Sequence, residues 1–174
     1  MSYTIYRNTI PQIVHMLGNL QSCLKKGDAY AEAKKIDESV LVTYRLYPDM
    51  FPLSKQVQIA CDIAKGCGAR LSGLEAPKYE DNETTLGQLI ERIDNTQAFL
   101  KTISEDQFQG AEEKAIELKL PNVTLNFNGA DYVNQFVLPN VYFHVSIAYA
   151  ILRHVGVELG KMDYLGKPPQ LNEQ

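Results

Sequence analysis

The stretch Leu138–Arg153, LPNVYFHVSIAYAILR, constrains this chain more than any other. It predicts the buried last helix of an all-helical bundle. A helix that is apolar nearly all round belongs in a core. This one carries a histidine, His144, and two tyrosines, Tyr142 and Tyr149. Helical bundles build metal and ligand sites from such polar groups on facing helices. The stretch therefore predicts a fold and a place to look, without naming a reaction.

A length of 174 residues suits one domain with one core, spanning 1–174, with 160–174 as a tail packed on the bundle. The net charge is −4 and the lysines and arginines are scattered. A nucleic-acid binder normally carries a basic stripe, so that class is excluded. No unbroken apolar run suggests a membrane span, and MSYTIYRNTIPQ lacks a signal pattern. A cytoplasmic protein is expected. Cys23, Cys61 and Cys67 form no C-x-x-C pair and no even-numbered framework. They read as small buried apolar residues.

Periodicity divides the chain. Thr9 and Pro11 suit a helix start, Ile10 to Leu24 recur at helical spacing, and Gly27 reads as the stop. Ala29–Lys35 suggests a short helix. Asp37 suits the cap of a further turn packed by Val40, Leu41 and Val42. A connector with Pro48 and Pro52 leads to a second long helix over Leu53–Leu74. Its inner stripe is Val57, Ala60, Ala64, Cys67 and Leu71. Its glycines imply close approach by another backbone or a ligand, because each costs roughly 1 kcal/mol against alanine. Thr84 suits the cap of a third helix, and Ser104 with Gln107 has capping-box spacing. Ile116–Phe127 alternates around Pro121-Asn122 and predicts a hairpin. The last helix spans about 130–155, with Pro139 as a kink or break.

The residues that could carry chemistry follow from this layout. His144 is the first, with Asn140 one turn before it. His154 lies too far along the helix to share a metal with His144, and suits the helix dipole. His15 faces either inward to meet His144 or outward to water. Asp62 either pairs with Lys65 on a solvated face or turns inward towards His144. Tyr142, Tyr149 and Arg153 suit either a small anionic ligand or a helix interface. Arg45 and Asp49, at the open end of the bundle, suit either a pocket or a local ion pair.

The segments RLYPDMFPLSKQVQIACDIAKG, LEAPKYEDNETT and LPNVYFHVSIAYAILRHVGVELGKMDYLG resemble an uncharacterised family within the DinB/YfiT-like superfamily. The resemblance runs from Tyr3 to about Gly166. It implies an up-down-down-up four-helix bundle, here with a small hairpin before the last long helix, and a homodimer. Better-known members hold a divalent metal, zinc or nickel, through one histidine of the second helix and an H-x-x-x-H pair of the last. Some are thiol-dependent transferases or isomerases. His144 matches the first histidine of that pair. Ala148 stands where the second would be, and the second-helix position falls near Cys61 or Asp62. The resemblance thus leaves two outcomes. Either no cofactor is held, or a metal site is rebuilt from His144 and Asp62, completed by His15 or water.

Two functional readings compete. In the first, His144 and Asp62 act as base and orienting group, or as metal ligands, while Asn140, Tyr142, Tyr149, Arg153 and Arg45 hold an unknown small molecule. Metal-dependent hydrolysis or thiol transfer belongs to this reading. In the second, the chain is a non-catalytic dimeric interaction protein and its polar groups satisfy one another.

Overall fold

The computed structural model describes residues 4–166. Helix α1 runs Ile5–Lys34 and is capped by Thr4, whose side chain accepts from the Arg7 N–H. Thr9, expected as the cap, is buried inside the helix, and its hydroxyl donates to the Ile5 carbonyl at 2.6 Å. Gly27 does not end the helix either. A Cβ there would sit 3.0 Å from Leu152 Cδ2, so this glycine permits a close helix contact. The turn out of the helix falls at Lys35, in the left-handed region with φ 56°. The expected short helix at Ala29–Lys35 is therefore the end of α1.

Asp37 caps α2, Glu38–Thr43, as expected; Leu41 and Val42 are buried while Val40 faces solvent. Helix α3 runs Leu53–Ser72 and buries the whole predicted stripe. Gly73, at φ 82°, ends it. Helix α4, Leu86–Lys101, starts one residue later than expected, because Thr85 and Gln88 form the capping box. Two 3-10 turns follow, Glu105–Phe108 and Ala111–Glu113. Strands β1, Ile116–Leu120, and β2, Val123–Phe127, pair antiparallel with Leu120 opposite Val123, which leaves Pro121-Asn122 as the turn.

The last long helix begins with α5, Gly129–Asp131, widens into a π segment over Tyr132–Val137 and continues as α6, Leu138–His154. Proline has no N–H for the helical ladder. Pro139 stands just after the π segment, so the predicted irregularity is a widening and not a break. By composition this helix is apolar enough to cross a membrane, which corrects the reading of the sequence. In the fold its Val137, Val141, Val145, Ala148, Ile151 and Leu152 are buried in the core. A short α7, Lys161–Leu165, packs on α1. Of the segment 160–174 expected as a tail, 167–174 lie outside the described residues.

Cross-contacts give the helix directions. Asp62 meets Arg92, and six residues on Gly68 abuts Leu100, so α3 and α4 advance together. Gly18 and Gly27 of α1 face Gln97 and Leu86 of α4, so that pair is antiparallel. Gln12 meets Tyr142, and Gly27 meets Leu152, so α1 and α6 are parallel. The bundle is up-down-down-up. Each of α1 and α3 packs against both α4 and α6. One core fills the space between them, from Ile13, Leu17 and Leu24 through Val57 and Ala64 to Ile93 and Val145.

Candidate functional site

His144 lies in the core face of α6, buried against α3. Its Nδ1 is 2.7 Å from Gln56 Oε1, and the Gln56 amide nitrogen donates onward to the Phe51 carbonyl at 3.1 Å. That chain fixes the groups. Gln56 Oε1 can only accept, so Nδ1 carries the proton and Nε2 keeps its lone pair. Burial holds the imidazole below its ordinary pKa of 6.5, so the neutral ring is favoured. Phe143 packs edge-on against this ring, with centroids 5.2 Å apart, and is itself exposed. The result is a neutral imidazole of fixed tautomer with aromatic surface beside it.

The structure separates the other candidates from His144. Asp62 lies six residues beyond Gln56 on α3, about 9 Å along the axis and on a different face. It is 42% exposed and pairs with Lys65 and with Arg92, each at 2.9 Å. The inward turn towards His144 does not occur. Asn140 donates from its side chain to the Phe136 carbonyl at 2.6 Å, satisfying the backbone near the π segment. Tyr142 donates to Gln12 of α1 at 2.8 Å, and Tyr149 packs edge-on against Tyr164 of α7. Both belong to the α1 side of α6. Arg153 is exposed in the last turn of α6. Arg45 donates to the Met50 carbonyl at 3.2 Å instead of pairing with Asp49. His15 faces out and donates to the Leu165 carbonyl, so it does not meet His144. His154 lies against the Tyr44 ring.

The most heavily connected polar residue is one that reading the sequence missed. Arg92 has a side chain 2% exposed and sits among Glu83, Asp62 and Asp81 at 2.8–3.0 Å. It also donates to the Glu80 carbonyl at 3.1 Å, and its guanidinium lies over the Tyr79 ring. Its Nε is buried with no partner among the described residues. Arg92 thereby fastens the segment 73–85, which has no regular structure, to α3 and α4. A shallow cavity of about 350 Å³ opens beside it, lined among others by Tyr79, Glu83 and Glu91. The signal was available: Arg92 falls between Leu89, Ile93 and Thr96 on an apolar face, and Glu80, Asp81 and Glu83 precede it.

The donor set does not fit a three-histidine metal site. One His144 nitrogen is engaged by Gln56. Ala148, one turn on, is buried and offers no donor. The α3 residue that faces His144 is Gln56 and not Cys61 or Asp62. Burial pushes the Cys61 and Cys67 thiols up to about 12 and Cys23 up to about 11, so none is a ready thiolate. Among the described residues no three His, Cys, Asp or Glu side chains converge as a ligand set.

Comparisons with known proteins agree with the fold. A family described as "Domain of unknown function (DUF1993)" matches residues 5–165. A crystal structure of a DinB family member protein from Shewanella denitrificans is similar along 95% of this chain and 94% of that one, with 44% identity and a TM-score of 0.86. No curated protein matches.

Proposed function

The chain belongs to the DUF1993 family, a DinB-like helical-bundle family of unknown function, and from that premise we propose that it binds a small organic molecule at the His144–Gln56 pair without a metal. The hydrogen bond between these two residues carries the reading. It fixes the tautomer, and burial favours the neutral ring, so Nε2 can accept a proton or a hydrogen bond from a ligand hydroxyl, amine or amide. Phe143, exposed and edge-on to the imidazole, supplies apolar contact, which suits a ligand with one polar end. Metal-dependent hydrolysis or thiol transfer loses support because the donors are not assembled.

The test combines elemental mass spectrometry with ligand-observed and ring-nitrogen NMR against a panel of small phenols, amines and carboxamides. The expected result is a binder that shifts the His144 ring signals, is lost in His144→Ala, and needs no metal. Near-stoichiometric metal in the purified protein that disappears in His144→Ala would overturn the reading.

One observation favours the interaction reading as well. Tyr47, Phe51 and Phe143 are 65%, 54% and 56% exposed, large aromatic side chains left in water on the connector and on α6. A cytoplasmic homodimer meeting through this surface accounts for it. Light scattering of wild type and Phe143→Ser tests this: a dimer that becomes a monomer supports it, and a wild-type monomer sinks it.

A further inference from the structure

The contact between α7 and the bundle has the form of peptide recognition. Along α1, His15, Asn19 and Cys23 stand four residues apart and share a face. Each meets one main-chain carbonyl of consecutive residues in the strap. His15 Nε2 donates to the Leu165 carbonyl at 2.7 Å, and Asn19 donates to the Tyr164 carbonyl at 2.9 Å. The Cys23 thiol faces the Asp163 carbonyl at 3.7 Å. One turn further, Lys26 pairs with the Asp163 carboxylate at 2.7 Å. From α6, Ser146 donates to the Tyr164 hydroxyl at 3.0 Å, and Tyr149 packs against that ring. Gly166, at φ 71°, closes the contact where a side chain would run into Asn19 and His15.

We propose that this seam between α1 and α6 is a peptide-binding groove, filled in cis by the chain's own Asp163–Gly166 segment acting as a displaceable strap. The groove reads a register of backbone carbonyls, one aromatic side chain, one carboxylate and a glycine. The strap is held by these polar contacts and by half-buried Tyr164, which packs on the edge of the core. No residue of α7 is buried, and Met162 and Leu165 are exposed. The fixed anchors lie upstream, at buried Val157 and Leu159, so the strap can lift while the chain before it stays docked. Segments with few buried apolar contacts open first.

The probe is a fluorescein-labelled peptide of residues 160–166, added to the full-length chain. In wild type the tethered strap competes at high effective concentration. The double variant Asp163→Ala/Tyr164→Ala keeps the strap's carbonyls but loses its side-chain contacts, which weakens that competitor, and it should bind the probe about tenfold or more tighter than wild type. Adding Asn19→Ala should remove most of that gain. Maleimide labelling is the second readout: Cys23 should react about tenfold faster in the double variant, while Cys61 and Cys67 stay protected. Equal probe binding by wild type and a folded double variant, or an unchanged Cys23 rate, would overturn the proposal. Should the double variant lose its helical circular dichroism, Tyr164→Ala alone, which loosens the strap and leaves every groove residue in place, is put through the same two measurements and judged alike.

Discussion

The Nδ1 of His144 and the Oε1 of Gln56 meet at 2.7 Å across the contact between α6 and α3. This single bond decides what His144 can do. It fixes the tautomer, engages one ring nitrogen, and ties the ring to the connector through the Phe51 carbonyl. His144 is accordingly a neutral, oriented imidazole and not part of a histidine cluster.

Removing the acceptor should cost stability. Gln56→Leu leaves the buried Nδ1–H and the Phe51 carbonyl without partners. The cost should be about 1–3 kcal/mol in urea denaturation. Gln56→Glu should instead raise the His144 pKa, because a carboxylate favours the imidazolium. Ring-nitrogen NMR titration reads that shift.

The pH dependence of stability follows from the same ring. Its folded pKa lies below the unfolded value of about 6.5. Between the two, the unfolded chain binds more protons than the folded one, so stability falls as pH drops below about 6.5. Above that value the contribution is fully present. Denaturation midpoints at pH 7.5 and 5.5, taken in ~50 mM buffer, should diverge less in His144→Gln than in wild type.

Arg92 should be the most sensitive charged position. Arg92→Met leaves Glu83 and its neighbours facing a neutral side chain beside the core and should cost about 3–5 kcal/mol. Arg92→Lys should not restore it, because a point charge cannot replace a planar fork that reaches Glu83, Asp62 and Asp81 together. Limited proteolysis should cut first within 73–85 in both variants. Cleavage elsewhere first would count against Arg92 as the fastener of that segment.

Two glycines should respond oppositely to alanine. At Gly68 a Cβ would fall 2.7 Å from Ile103 Cδ1 and 2.8 Å from Leu100 Cδ2. Gly68→Ala should therefore destabilise by about 1–3 kcal/mol. At Gly18 the nearest atom would be 3.9 Å away. Gly18→Ala should stabilise by about 0.5–1 kcal/mol through helix propensity. Thermal denaturation of the two variants distinguishes packing from propensity.

Much of the bundle was legible because local rules dominate there. The α3 stripe and the hairpin turn follow from periods of 3.6 and 2 that any burial partner would exploit. The misplaced boundaries share one cause. Thr9, Gly27 and Thr84 carry the right chemistry for caps and stops, but what each residue packs against decides whether it serves as one. Gly27 continues its helix because Leu152 needs the space, and the cap of α4 falls on Thr85 because its side chain reaches the Gln88 N–H.

The candidate site shows the same division more sharply. Spacing groups Tyr142 with Tyr149 and sets Asn140 one turn before His144, yet it could not say which helix lay opposite each. The packing sends Tyr142 and Tyr149 to α1 and α7, His144 to Gln56, and Asp62 to Arg92. The sequence by itself determined the helices, the hairpin and the apolar faces, because those depend on neighbours a few residues away. Only the tertiary structure decided which polar groups meet, because that depends on the direction and order of helices joined by connections that carry no periodic signal.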